Sequence, residues 1–282
     1  MKDRLKLNSF AVELRHEWEM NSLSPVNLLN AVLSRMPNLT ILYYPMSDNT
    51  SGMCVKDMQV SIPESQVPNA QVCDSSSDSL RNDSSANGDG ISDFESKLAS
   101  DMLVGINSNM SIGRQNFTLA HELYHLLYEE NRNNFVICDY SSESDSEIEA
   151  NIFASYLLIP YEGLNRYAKK RRIVKWTLDD VITAEQYYQI SHMAMLYRLV
   201  EQEFITEEES EKFQNVKISH EARIRGFNDE LYYPSQDNRK YFSLGKYVKS
   251  VAEAYSSKRI SAGKKDELLL DGFRGDLTFK GK

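Results

Sequence analysis

The sequence predicts an α+β fold in which a small sheet is followed by long helices. Short segments rich in β-branched and aromatic residues occupy the first third of the chain, which is typical of strands. A segment without Pro or Gly then runs from 114 to 134, and after Pro160 apolar residues recur with a helical period. The 282 residues suffice for one core of ordinary domain size and a second, smaller domain.

The elements before residue 107 follow from these patterns. Two amphipathic helices and three strands are predicted, at 5–20, 26–35, 39–44, 53–60 and 102–106. Between the last two strands, residues 74–90 are dominated by Ser, Asp, Asn and Gly. Such a segment cannot bury enough apolar surface to offset its chain entropy. We therefore predict a disordered insertion at 62–100.

The segment His121-Glu122-Leu123-Tyr124-His125 lies inside the next predicted helix. Positions four apart share a helix face, so both imidazoles can reach one metal ion. Glu122 would lie beside that metal, where a carboxylate can act as the general base and acid of peptide hydrolysis. The alternative is a pair of partly buried, hydrogen-bonded histidines. A carboxylate in an apolar helix is costly to bury without a metal or partner, which favours the metal site.

A third metal ligand is expected in a second helix that begins near Ser144 and ends at Pro160. Ser144 and Glu147 have the spacing of a capping box. Glu147 and Asn151 share a face, so Glu147 could bind the metal while Asn151 hydrogen-bonds a ligand histidine. Glu149 is rotated about 200° from Glu147, so both cannot point at one ion. The alternative is an acidic, solvated helix start.

Residues 113–125 (GRQNFTLAHELYH), followed by 147–154 (EIEANIFA) and 157–160 (LLIP), closely resemble the ImmA/IrrE family of zinc metallopeptidases. The resemblance implies a zincin-like metallopeptidase core, that is, a small sheet plus active-site helices. It also implies that Zn²⁺ is bound by His121, His125 and Glu147, with Glu122 as the catalytic acid and base. Weaker likeness extends to 11–18 and 51–54 and to a C-terminal tail at 245–270, whereas the long segment between 57 and 101 departs from the family.

The resemblance further implies a substrate. Members are typically bacterial or phage proteins, and the characterised ones act on helix-turn-helix repressors encoded nearby. The expected function is therefore zinc-dependent endopeptidase action on a protein partner, a helix-turn-helix transcriptional repressor or an associated regulator.

The C-terminal region is predicted to be helical and to resemble a helix-turn-helix in outline. Helices on either side of a turn at 190–191 would place Ser191 as a cap and Met193 and Leu196 inward. Two ordinary packed helices are the favoured alternative, because Arg198 is the only basic residue in the helix that would read DNA. His192 is expected to be structural and not a fourth metal ligand.

The predicted domains are a zincin-like metallopeptidase domain at 1–165, with its insertion, and a helical region at 166–282. A basic stretch from Arg166 to Lys175 predicts an exposed helix face, with a docking patch as the alternative. The net charge of -9 argues against general nucleic-acid binding, although direct DNA binding stays open.

Other composition features point to a cytoplasmic protein without a membrane partner. The sequence has no run of about 18 apolar residues and no apolar core of a signal peptide near its first residues. Three widely spaced cysteines, Cys54, Cys73 and Cys138, predict neither a disulfide scaffold nor a thiolate zinc site, and Cys54 is expected in the core.

Two rival functions remain open at this point. One is a zinc-containing sensor or DNA-binding transcription regulator without protease activity; the other is a non-catalytic interaction module that keeps the metal for stability. Glu122 is intact, which argues against the second. The group that would stabilise the oxyanion is not identified, since Tyr124, His192 and the C-terminal tyrosines are all candidates.

Overall fold

The computed structural model describes residues 4–56, 101–129, 135–139 and 144–278. The predicted insertion at 62–100 lies outside them. Their strands are β1 (Leu39–Tyr44), β2 (Thr50–Lys56), β3 (Met102–Asn107), β4 (Phe135–Asp139) and β5 (Phe242–Gly245). Their α-helices are α1 (Arg4–Glu17), α2 (Leu28–Arg35), α3 (Ile112–Tyr128), α4 (Asp145–Leu158), α5 (Tyr161–Arg171), α6 (Leu178–Tyr188), α7 (His192–Glu201), α8 (Glu207–Gln214), α9 (Ile218–Ile224), α10 (Asp237–Lys240), α11 (Lys246–Ser256) and α12 (Ala262–Asp271).

The strands form one mixed sheet in the order β4-β2-β3-β1-β5. β1 and β3 are parallel, with Leu39 opposite Met102, and the remaining pairs are antiparallel. β1 has its predicted bounds, β2 begins three residues earlier than predicted, and β3 is one residue longer. β4 and β5 were not predicted. Because β5 pairs with β1, the C-terminal region contributes a strand to the sheet.

The core lies between the sheet and the helices α1, α3 and α4. Ile41 and Val104 from the sheet, Leu119 and Leu123 from α3, and Phe153 from α4 are all buried in it. This α+β arrangement confirms the predicted fold class of a small sheet with active-site helices and a helical C-terminal region. Its consequence for the site is that α3 rests directly on β2 and β3 and packs along α4.

Two buried arginines fix the C-terminal end of α4. Arg15 of α1 donates to the carbonyl oxygen of Leu157 at 2.9 Å, and Arg198 of α7 donates to that of Ile159 at 3.0 Å. Guanidinium groups at a helix C-terminus satisfy free carbonyls and complement the helix dipole. Burial lowers the pKa of Arg15 to about 10, so it stays charged at neutral pH. These contacts fix the position of the helix that carries Glu147.

The helices α6 and α7 lie on either side of the turn at 190–191, as the sequence pattern predicts. The side chain of Ser191 caps α7, and Leu196 is buried. The inward packing predicted for Met193 is wrong, because its side chain is 51% exposed and Met195 takes the buried position. Arg198 is also fully buried, so its guanidinium is not available to DNA.

Other surface and core predictions are confirmed within the described residues. The basic side chains from Arg166 to Lys175 are exposed, and Cys54 is buried as a free thiol. In this part of the chain, no helix combines the length and the apolar character needed to cross a membrane.

Candidate metal centre

Three potential metal ligands converge between α3 and α4. The Nε2 atoms of His121 and His125 lie 3.1 Å apart, as expected for residues one helical turn apart on one face. From α4, the carboxylate of Glu147 lies 3.0 Å from Nε2 of His121 and 3.5 Å from Nε2 of His125. Ligand atoms about 2.0–2.1 Å from a tetrahedral zinc ion lie about 3.3 Å from one another. The three side chains therefore form a group that could hold a metal ion.

The far edge of each imidazole is held by a partner. Nδ1 of His121 lies 3.0 Å from Oδ1 of Asn151, as predicted from the helix period. Nδ1 of His125 lies 2.6 Å from Oε2 of Glu129, whose other oxygen accepts a hydrogen bond from Ser146 at 2.7 Å. Partners of this kind fix the ring orientation and keep the proton on Nδ1, which leaves Nε2 as an acceptor for a cation.

The sequence prediction missed Glu129 and Ser146. Glu129 follows His125 by four residues, so the helix period places both side chains on one face. That spacing would have identified Glu129 as a partner of the histidine. Ser146 has no comparable pattern, because its contact with Glu129 depends on how α3 and α4 pack.

Glu122 is fully buried against β2. A Cβ atom at Gly52 would lie 2.7 Å from Oε1 of Glu122 and 2.6 Å from Cγ2 of Thr118, so only glycine allows the strand to pass this close. Two residues later, Cys54 hydrogen-bonds Glu122. Burial, and then the charge and hydrogen bond of Glu122, raise the pKa of the Cys54 thiol, which therefore stays protonated and donates to the carboxylate. β2 thus fixes one side of Glu122.

The other acidic and aromatic candidates are placed elsewhere. Glu149 accepts a hydrogen bond from the hydroxyl of Tyr124 at 2.8 Å and is not part of the metal-ligand group. His192 lies between Glu185 and the carbonyl oxygen of Phe213. Hence neither Glu149 nor His192 takes the position of a ligand.

Electrostatics in the centre favour a cation. Burial alone would lower the pKa of His121, but the hydrogen bond to Glu147 and the charges of Glu122 and Glu147 raise it above its ordinary value. The pKa of His125 is lowered, first by burial and then by the neighbouring His121. Three carboxylates, Glu122, Glu129 and Glu147, thus surround two imidazoles.

Residues 80–200 match the model of the Peptidase_M78 family, the IrrE N-terminal-like domain. The match includes α3, α4 and the whole ligand group. No individual curated protein matches the chain. The match confirms the resemblance to ImmA/IrrE metallopeptidases over residues 80–200.

Proposed function

We propose that this protein is a zinc-dependent endopeptidase in which His121, His125 and Glu147 hold the zinc ion and Glu122 is the acid and base. One observation carries the proposal. Three ligand atoms from two helices converge within 4.8 Å of one another, with Glu122 directly after the first histidine.

The donor set fits zinc and does not fit magnesium or calcium. Two imidazole nitrogens and one carboxylate oxygen are ligands of catalytic zinc sites, which keep a fourth position open for water or substrate. Magnesium and calcium prefer sites built from oxygen alone. The hydrogen bonds of Asn151 and Glu129 to the outer ring nitrogens also match the surroundings of zinc-binding histidines.

The chain's own residues supply the proton transfer. Zinc, when bound, would polarise the scissile carbonyl and lower the pKa of water towards about 7. Glu122 would accept the proton of the attacking water and pass it to the departing amine. Because β2 passes close to Glu122 at Gly52 and Cys54 hydrogen-bonds it, the carboxylate has little freedom to turn.

The substrate we propose is a helix-turn-helix transcriptional repressor or an associated regulator in the cytoplasm of a bacterium, encoded beside this protein or on the same phage. The support is the family resemblance, since characterised members act on such repressors. The structure adds one argument against the DNA-binding alternative: Arg198, the only basic residue in α7, donates to Ile159 inside the protein.

The test is Glu122→Gln in the full-length protein, assayed for zinc content and for cleavage of the adjacent helix-turn-helix regulator. Because Glu122 is not one of the ligands, zinc content should be unchanged. Cleavage should fall by at least about 100-fold, because the amide cannot accept a proton.

Glu149→Gln is the matched control, since it makes the same chemical change on a carboxylate that contacts Tyr124 instead of the metal group. It should leave cleavage unchanged. Cleavage by Glu122→Gln at the wild-type rate would reject the mechanism, and intact regulation by an uncleaving Glu122→Gln protein would favour the sensor function.

A further inference from the structure

A cavity of about 540 Å³ lies between the N-terminal turns of α3 and α7 and one side of α4. This volume is within the range of about 300–1,000 Å³ typical of sites for small organic molecules. The described residues that line it include no residue of the metal-ligand group and not Glu122. The cavity is therefore separate from the catalytic group, and its ligand has to be inferred from its own walls.

The fixed charge in the cavity wall comes from Arg114. Among the described residues of the lining, Arg114 is the only Arg or Lys and none is Asp or Glu. A guanidinium is always charged and carries five N–H donors in a planar fork, so a contact inside the protein still leaves donors for a ligand. A wall with an arginine and without carboxylates favours an anionic ligand over a cationic one.

The N-termini of two helices meet at the same wall. Ser111 and Ser191, which precede α3 and α7, both line the cavity. They come close together because Gly113 has no side chain: a Cβ atom there would lie 2.7 Å from backbone atoms of Ile190 and Ser191. The backbone N–H groups and the dipole at a helix N-terminus favour negative charge. Helices of 17 and 10 residues thus add to the positive potential of Arg114.

The remaining walls are mainly apolar. Phe117 of α3, Ile148 and Ile152 of α4, and Met193 and Tyr197 of α7 all line the cavity. Three of them are partly open to water, because Ile148 is 38% exposed, Met193 51% and Tyr197 48%. Covering such side chains gains about 25 cal/mol per Å² of apolar surface. A ligand with an apolar body would therefore bind more tightly than a bare anion.

Two polar side chains in the lining are already engaged inside the protein. The ring nitrogens of His192 contact Glu185 at 2.5 Å and the carbonyl oxygen of Phe213 at 3.0 Å. The hydroxyl of Tyr232 donates to Glu185 at 2.7 Å. Both side chains therefore offer the cavity mainly their rings, and the recognition of charge is left to Arg114 and the helix N-termini.

We propose that this cavity binds a small amphiphilic anion, a free organic carboxylate whose charged group pairs with Arg114 while its apolar body contacts Phe117 and Tyr197. A carboxylate suits a single arginine, because its two oxygens accept two parallel N–H bonds from one guanidinium. A phosphate monoester carries a charge of about -1.5 to -2, which one arginine does not balance. The site goes beyond the proposed function, since its ligand is not the peptide that Glu122 would help to cleave.

The test is an NMR titration of the full-length, zinc-supplied protein with 3-phenylpropionate, its neutral amide and propionate. We expect the phenyl acid to bind about tenfold or more tighter than either relative. The amide has no charge to pair with Arg114, and propionate leaves the apolar walls uncovered. N-acetylphenylalanine adds a peptide group to the same acid and should bind more weakly. Tighter binding of N-acetylphenylalanine would overturn the free acid in favour of a peptide C-terminus.

Two variants locate the bound acid. Arg114→Met removes the charge at similar length and should lower the affinity for the acid to that for the amide. Arg166→Met is the matched control, because Arg166 is an exposed arginine that does not line the cavity, and it should bind like the wild type. Ala194→Phe keeps Arg114 but fills the cavity, so it should abolish binding of both the acid and the amide. Circular dichroism and zinc content check that the variants are folded.

The remaining outcomes would overturn the proposal. Equal binding of the acid and the amide by the wild type would show that the cavity does not select an anion. Unchanged binding by Ala194→Phe would mean that the acid binds elsewhere, for example at the metal centre. A preference for the acid that survives in folded Arg114→Met, or is lost in Arg166→Met, would show that Arg114 does not pair with the carboxylate. None of these results depends on peptidase activity, so the two proposals fail separately.

Discussion

Among the described residues, two buried clusters combine histidine with glutamate, and one of them has the three converging ligand atoms that a metal ion needs. In the first, His121, His125 and Glu147 point three ligand atoms at one place. In the second, Glu185 of α6 contacts His192 of α7 at 2.5 Å. Both clusters join neighbouring helices, and both bury their side chains almost completely.

The difference lies in what each polar atom already contacts. Both ring nitrogens of His192 have protein partners, and the two carboxylate oxygens of Glu185 contact His192 and Tyr232. No atom of this pair is left for a cation. In the metal centre, Asn151 and Glu129 contact Nδ1 of His121 and His125, whereas both Nε2 atoms face each other and the third ligand, Glu147. Residue type is therefore a poor guide to a metal site, and the accounting of each donor and acceptor is a better one.

The largest effect we expect is the loss of metal from His121→Ala and from His125→Ala. The wild type should bind about one zinc per chain, as catalytic sites of this donor set do. Removal of one imidazole leaves two ligands, too few to hold the ion. Elemental analysis after dialysis measures the zinc content.

His192→Gln is the control from the second cluster, and it should keep the full zinc content. Full occupancy in either alanine variant would show that the ion binds elsewhere. Loss of zinc from a folded His192→Gln protein would show that the two clusters are not independent.

The second expected effect is on folding stability. Glu185→Ala should lower the free energy of unfolding at pH 6 by about 3–5 kcal/mol, because it leaves a buried histidine and the Tyr232 hydroxyl without their acceptor. Denaturant unfolding of the zinc-loaded protein measures it. Glu208→Ala removes an exposed partner of Lys212 and should leave the stability nearly unchanged. An equal loss in both variants would mean that the Glu185 cluster is not structural.

The sequence predicted the metal cluster better than the cluster of Glu185 and His192, for a physical reason. The metal ligands come from two long helices, whose period places His121 with His125 and Glu147 with Asn151. That the two pairs meet at one metal was implied by the resemblance to the ImmA/IrrE family. The contact between Glu185 and His192 crosses a tight turn and depends on the angle between α6 and α7. No local pattern encodes that angle, although His192 was correctly expected to be structural.

Other missed features have the same cause. β5 has four residues and pairs with a strand some two hundred residues earlier. It is too short to show a strand pattern, and the residues near it in the sequence give no sign of its partner. Met193 and Met195 are both apolar, and the packing of α7 against α6 and α8 decides which one is buried. By contrast, β1 has strong local β propensity and was predicted with its observed bounds.

A third expected effect is a weaker metal affinity in Glu129→Gln. Loss of a carboxylate partner of a ligand histidine typically weakens metal affinity by about 10- to 100-fold. The zinc dissociation constant should therefore rise by about that factor. Competition with a chelator of known affinity measures it. Glu149→Gln, whose carboxylate contacts Tyr124, should bind zinc like the wild type. Equal affinity of the Glu129 and Glu149 variants would mean that Glu129 does not support His125.

The smallest expected effect is on the pH dependence of stability, and it comes from the second cluster. Burial alone would lower the pKa of His192, but the hydrogen bond and charge of Glu185 and the bond to Phe213 raise it above its ordinary value. A raised pKa in the folded state means that the protonated form is stabilised by folding. Protonated His192 therefore makes its full contribution to the free energy of unfolding below the unfolded pKa of about 6.5. This contribution is lost as the pH rises through the folded pKa.

The measurement is the difference in unfolding free energy between the wild type and His192→Gln at a series of pH values, with both proteins zinc-loaded. Taking the difference cancels the titration of groups that the two proteins share. The difference should be largest at low pH and shrink above about 6.5. A difference that grows with pH would mean that His192 is neutral in the folded protein. In that case its hydrogen bond to Glu185 joins a neutral imidazole to a carboxylate, and the second cluster contains no ion pair. The clusters would then differ only in whether every polar atom already has a hydrogen-bond partner.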